Sequence, residues 1–316
     1  MAACWLLASF LGVDLFAQSP SAANNTNAPA VASTPGPAVS THSADSPAAA
    51  APAPAVDFAR HLEAEVEHKN YGYFDQHFDW DSFIAACVPE GLTPAQRNGF
   101  ESGLRSSLQQ QSFGARLFGG LGEHGSYRFL RVHGSSAQPS ALFRLIGRGG
   151  LNYHDLRLRP AGAGTVAGGR SEAFDFYNYA TGELMSQTLR RTTLLMLGNS
   201  AGLGDAVLKM LGVSTASASP DLVGEIKKFR DLVTDGKSAE ALQLFAKFPE
   251  PVRKDKALLL IRLKAARAIG GEEAQRAVND YQAAFPDDPS LNLLLIDSFI
   301  TAKKYDEAAA CVERLD

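Results

Sequence analysis

Residues 238–248 (SAEALQLFAKF), 271–281 (GEEAQRAVNDY) and 305–315 (YDEAAACVERL) superimpose without a gap. Ala241, Ala274 and Ala308 hold the same place in each, 33 and 34 residues apart. Four positions further on stand Phe245, Val278 and Val312, and seven further on Phe248, Tyr281 and Leu315. Spacings of three and four put these side chains on one helical face. A period of this length, built from two helical stretches, is the mark of a helical solenoid. Stacked helix pairs make surfaces for holding partners rather than sites for bond-making chemistry.

Upstream of the repeats the chain changes character three times. Residues 1–17 hold an apolar stretch, Ala2 to Ala17, interrupted only by Ser9 and Asp14. It is shorter than the roughly 20 apolar residues of a bilayer span and reads as a secretory signal peptide, though no Lys or Arg precedes it. Residues 18–56 are almost wholly Ala, Pro, Ser, Thr and Asn. Such a stretch buries too little apolar surface to offset its chain entropy, so it reads as a disordered spacer. The layout is that of an exported protein, periplasmic or extracellular. Of 316 residues 45% are apolar and the formal net charge is −4. That suffices for a core and supplies no basic field for nucleic acid. Cys4, Cys87 and Cys311 form neither a disulfide framework nor a thiolate metal cluster. Cys87 and Cys311 read as small buried side chains.

Residues 57–213 read as an α+β domain. Asp57 is placed to cap a helix through Leu62 and Val66. Thr93-Pro94 opens another through Phe100, Leu104 and Leu108. Four strand-like runs follow, Tyr127–His133, Ala141–Ile146, Leu151–Arg159 and Glu172–Tyr179, with Arg148-Gly149-Gly150 turning the second into the third. In the third run His154, Leu156 and Leu158 share a face opposite Tyr153, Asp155, Arg157 and Arg159. In the fourth, Phe174, Phe176 and Asn178 oppose Asp175, Tyr177 and Tyr179. One face of the sheet is therefore expected to be apolar and the other wet or pocket-lining. Helical periodicity returns after Thr181-Gly182-Glu183. Helices packed on a curved antiparallel sheet of about four strands resemble the cystatin-like or NTF2-like fold. That resemblance implies a space between helices and sheet for a small molecule, with Tyr71, Tyr73, Phe74, Phe78 and Trp80 lining it or filling it as core. Acid–base work there would need a carboxylate opposite a donor, for which Asp75, Asp79 or Asp175 with Tyr177 are the candidates.

Three motif matches fail on their context. Gly198-Asn199-Ser200-Ala201-Gly202 has the nucleophile-elbow form, but all seven histidines precede Ser200, the last being His154. Gly236-Lys237-Ser238 lacks the upstream glycine of a phosphate loop, having Asp231 there. His61 and His68 stand seven apart without a third ligand.

Residues 221–316 resemble the tetratricopeptide repeat: Leu258, Ile261 and Ala265 on one first helix, Leu295 and Phe299 on the next, then Tyr305, and Pro286 closing a unit. Asn292 and Ile296 depart from the family pattern. The resemblance implies a concave groove lined by first helices, with Ile226, Arg230, Val233, Thr234, Leu259, Leu263, Arg267, Leu293, Asp297 and Ile300 as its candidates. The fold expected is thus an α+β middle domain followed by an all-α helical-hairpin solenoid. The function expected is an exported, non-enzymatic adaptor that takes a protein or peptide partner. The alternative is a small-molecule-binding or isomerase-like middle domain, with the repeats docking or dimerising it. Neither reading calls for a cofactor, a metal, nucleic acid or a stable membrane span, and self-association is left open.

Overall fold

The structure, a computed structural model, describes residues 53–110, 112–148, 150–161, 170–197, 204–213, 221–301 and 303–316. The leader and most of the spacer lie outside the described residues. Helix α1 (Ala53–Glu67) buries Ala55, Phe58, Ala59, Leu62 and Val66, three or four apart, and so presents one apolar stripe. It starts four residues before Asp57. Short helices α2 (Gly72–Gln76) and α3 (Trp80–Cys87) follow, the latter capped by Asp79, whose side chain accepts from Ser82 N at 3.1 Å. Helix α4 (Pro94–Gln110) opens with a reciprocal box. Thr93 N donates to Gln96 Oε1 at 2.9 Å, and Gln96 N donates to Thr93 Oγ1 at 3.3 Å. Helix α5 (Phe113–Phe118) completes the layer.

The sheet is an antiparallel meander of β1 (Ser126–Gly134), β2 (Pro139–Gly147), β3 (Gly150–Pro160), β4 (Ser171–Asn178) and the two-residue β5 (Glu183–Leu184), paired in that order. It has five strands where four were expected. Gly147 pairs with Gly150, which fixes the tight β2–β3 hairpin. Tyr127, Phe143, Leu156, Leu158, Ala173 and Phe176 face the helices in one core with Phe74, Phe83, Phe113 and Phe118. The parity expected for β4 breaks at one place. Opposite Arg157 the strand carries an extra residue, so Ala173 pairs with Leu158 and Phe176 with Leu156. This bulge turns Phe174 to the other face, where the Arg159 guanidinium lies 5.8 Å from its ring.

The helical tail continues from α6 (Met185–Leu197) and α7 (Gly204–Met210). Unit one is α8 (Leu222–Thr234) and α9 (Ser238–Phe245), followed by a short α10 (Glu250–Arg253). Unit two is α11 (Lys256–Ile269) and α12 (Gly271–Ala284), and unit three is α13 (Leu291–Thr301) and α14 (Tyr305–Leu315). Ala241 and Ala308 are buried where helices approach, while Ala274 is half-buried. Leu194 of α6, Val207 of α7 and Leu211 just beyond it share a core with units one and two.

Unit three does something a free solenoid would not. Leu293, Ile296, Cys311 and Leu315 pack with Leu142 and Tyr153 on the outer face of the sheet. The face expected to be wet is therefore partly covered by the chain's own last helix pair. The array starts on the inner side of β4, passes the β4–β5 edge and returns on the outer side. Free Cys87 and Cys311 are both buried. Among the described residues no helix is long and apolar enough to cross a membrane.

Candidate functional site

Edge and array meet at a polar seam. Tyr177 Oη donates to Gly182 O at 2.8 Å and accepts from Lys256 Nζ at 3.0 Å. Lys256 is ion-paired with Asp288, whose side chain is only 3% exposed. Burial alone would lower the Lys256 ammonium, but its bonds to Asp288 and Tyr177 outweigh that, and the net shift is upward. Asp288 Oδ1 also accepts from Ser290 N at 2.7 Å. Beside it, Arg191 of α6 reaches Asp255 at 2.7 Å, the residue that caps α11, and Glu183 at 3.3 Å. Gly182 makes this approach feasible. Its φ is +66°, and a Cβ there would stand 2.9 Å from Lys256 Cε and 3.2 Å from Tyr281 Oη.

The ten groove candidates are distributed unevenly by this arrangement. Ile226, Val233, Leu259, Leu263 and Leu293 are buried in the protein's own cores. The reason is what surrounds them: the first four share one core with the other helices of units one and two and with residues of α6 and α7, and the sheet takes Leu293. Arg230 is half-buried beside Asp231 at 3.6 Å. Arg267 is half-buried and donates to Leu294 O. Thr234 is exposed and donates back to Arg230 O at 3.0 Å. Ile300 is 50% exposed. The side chain of Asp297 lies outside the described residues. Five of the ten are thus buried against the protein's own chain, and of these Leu259 also lines a cleft between units one and two.

The acid–base candidates do not converge either. Asp75 accepts from Ser112 Oγ at 2.5 Å and Gly114 N at 2.9 Å, which pins α5 to α2. Asp79 caps α3 and pairs with Arg159. Asp175 accepts from Ser186 Oγ at 2.5 Å and Phe176 N at 2.8 Å; burial pushes its carboxyl up while these bonds hold it down, and the rise prevails. Tyr177 is committed to the seam. Of the aromatic group, Phe74 and Phe78 are core, 5.0 Å apart by ring centroids, while Tyr71, Tyr73 and Trp80 are half-buried against it, Trp80 edge-on to Phe113 at 5.4 Å. Ser200 lies outside the described residues, but α6 shortly before it is a helix, not the strand a nucleophile elbow requires. Gly236, with φ of +76°, is the turn between α8 and α9. His61 and His68 turn Nδ1 to carbonyls one turn back, at 2.8 and 2.7 Å. Among the described residues no three His, Cys, Asp or Glu are grouped to hold a metal.

Two features went unread in the sequence. On the outer face of β1–β3, His133 Nε2 lies 2.9 Å from the buried Asp155, and Arg157 donates to Ser140 Oγ at 2.9 Å. The second is a cleft of about 560 Å³ between units one and two. Its floor is apolar, from Leu242, Phe245, Leu259 and Ala284. Glu250 and Arg253 of α10 and the following Lys254, paired with Glu250 at 2.7 Å, stand on one side, Glu273 and Asp280 of α12 on the other. Arg262 crosses it, 5.5 Å above the Phe245 ring and 2.7 Å from Asp280. The available signal was the pair Ala283-Ala284 beside polar Gln282, small residues on the outward side of a second helix.

In comparisons with protein-family models, curated proteins and solved structures, nothing matches this chain. Architecture is therefore the basis for reading function: an open antiparallel sheet under helices, followed by an α-helical repeat-like bundle.

Proposed function

We propose that the protein is an exported, non-catalytic adaptor of tetratricopeptide type, and that it holds an apolar segment of a partner protein in the cleft between units one and two. One observation carries this reading: an apolar floor, rimmed by both signs of charge, lies between units one and two. Apolar floors with convergent polar groups are where ligands dock, and helical segments commonly dock by laying an apolar face into such a groove. Ala246, Ala283 and Ala284 are exposed there, so a guest backbone can come close. The cystatin-like or NTF2-like domain serves in this reading as the rigid seat for the repeats. The apolar leader and the spacer supply the export half of the proposal.

The test uses helical peptides selected for binding to the full chain, with a photo-crosslinker at Ala284. Crosslinking at that position is expected, with at least about tenfold weaker binding in Leu242→Glu. Peptides that bind Leu242→Glu and Ala284→Arg as well as the wild type would refute the cleft as the site.

A further inference from the structure

Four large apolar side chains are well exposed among the described residues: Ile146, Ile269, Ile300 and Tyr305. Two of them, Ile300 at 50% and Tyr305 at 63%, flank one turn, between α13 and α14. Ala302 of that turn lies outside the described residues, and backbone bonds between its neighbours close it. Lys304 N donates to Phe299 O at 2.8 Å, Lys303 N donates to Ile300 O at 3.0 Å, and Lys303 takes the left-handed conformation with φ of 59°. The result is a knob with an apolar tip, basic Lys303 and Lys304 before the tyrosine and acidic Asp306 and Glu307 after it.

The cleft offers an apolar floor between two charged walls. Arg253 and Lys254 stand on one, with Glu250 paired to Lys254 at 2.7 Å, and Glu273 and Asp280 on the other, both paired with Arg262, Asp280 being 58% exposed. The array as a whole is polarised the same way. Residues 221–270 carry eleven Lys and Arg against seven Asp and Glu, whereas residues 271–316 carry four against ten. Head-to-tail arrangement of two copies brings the acidic end, which bears the knob, toward the basic half, which supplies α9, α10 and α11 to the cleft. Complementary potentials of this kind favour one mutual orientation and suppress others.

We propose that the occupant of the cleft is the α13–α14 turn of a second copy of this chain. The proposal depends on the cleft being a docking site and goes further by naming the guest. Knob and cleft are different surfaces, so the contact is heterologous and each bound copy still offers a free knob and a free cleft. A single turn in a single cleft buries less than a standard interface, so the association is weak and concentration-dependent.

Sedimentation velocity of the full chain, from about 10 to about 500 µM, is the experiment. Average mass is expected to climb with concentration at about 50 mM salt and to fall back toward the monomer at about 500 mM, where surface charges are screened. Tyr305→Glu removes the knob and leaves the cleft; an acid in the first turn of α14 suits the helix. Ala284→Arg, at an exposed position, blocks the cleft and leaves the knob. Each variant alone is expected to remain monomeric with an unchanged circular dichroism spectrum. Mixed in equal amounts, they should form a one-to-one complex that grows no further. Wild type monomeric throughout, either variant assembling like wild type, or a mixture that stays monomeric overturns the proposal. A monomeric wild type that still binds selected peptides through Leu242 and Ala284 sinks the self-docking alone; peptides indifferent to those residues sink the cleft itself.

Discussion

Through His154 alone the protein should lose stability in mild acid. Its ring lies on the inner face of β3, 2% exposed, between Tyr127 and Phe176 at centroid distances of 5.8 and 5.1 Å. Nε2 lies 3.3 Å from the Asn152 amide nitrogen, while Nδ1 has no hydrogen-bond partner among the described residues. Burial disfavours the charged ring and pulls its pKa from 6.5 down to about 3. The folded value is the lower one. Stability from this group is therefore fully present above the unfolded pKa of 6.5 and drains away as pH falls toward 3. Each pH unit in that window is worth about 1.4 kcal/mol, so lowering the pH from 7 to 5 should cost about 2 kcal/mol through this residue. Asp175 and Glu183 act in the opposite sense, because burial raises both carboxyls. The measurement must therefore be a difference between two proteins. His154→Phe keeps an aromatic ring beside Phe176 and removes the titration and the orphaned nitrogen; at pH 7 its stability should lie within about 1 kcal/mol of wild type. Urea unfolding of both at pH 7 and pH 5 should show the wild type losing about 2 kcal/mol more than the variant. Parallel losses would mean that His154 is either solvated or already charged in the folded protein, and the burial argument would fail.

Three further outcomes follow from the packing. Leu293→Ala removes a side chain 4% exposed against Leu142 and Tyr153, and should cost about 2–4 kcal/mol in urea unfolding, with faster amide exchange in α13; an unchanged protein would mean that unit three does not sit on the sheet. Gly182→Ala puts a Cβ 3.1 Å from Leu260 Cδ1 at a φ of +66°, and is expected to destabilise by about 1–3 kcal/mol, read from the same unfolding curves. Lys69 holds φ of 61° just beyond α1, with Lys69 N bonded to Val66 O and Asn70 N to Glu65 O; Lys69→Gly relieves the left-handed strain and should raise stability by about 0.5–1 kcal/mol, and a lowered urea midpoint would contradict it.

The sheet was legible because alternation and turn chemistry are local. The four strand runs lie within their observed bounds to a residue or two, and the Gly147–Gly150 pairing follows from the Arg148-Gly149-Gly150 turn. Thr93-Pro94 likewise announced α4 by its cap. Three features were not legible. Ala53–Val56 looks like more Ala/Pro spacer, and only the tertiary burial of Ala55 makes it helix. The bulge opposite Arg157 is a matter of ladder hydrogen bonds, so a strict period of two misplaced Phe174. The cleft escaped because it is framed by four helices whose mutual placement no single stretch encodes.

Half of the groove candidates are buried, and the reason is general. Periodicity tells which side chains of a helix are apolar, and not whether a partner molecule or the same chain covers them. Leu293 has the apolar character a peptide groove wants and also the character that suits the outer face of β2 and β3. What settles the choice is the composition of the sheet: Leu142 and Tyr153 supply an apolar landing, and Tyr177 extends it toward Lys256 and Asp288. The apolar pairs supply the attraction, being non-directional and proportional to area. A buried ion pair adds little net stability, but it penalises every docking register that leaves one charge unpaired. Lys256, Asp288 and Tyr177 therefore select the orientation in which the array closes on the sheet edge. Once it has closed that way, Leu293, Ile296 and Leu315 of unit three are covered by the sheet.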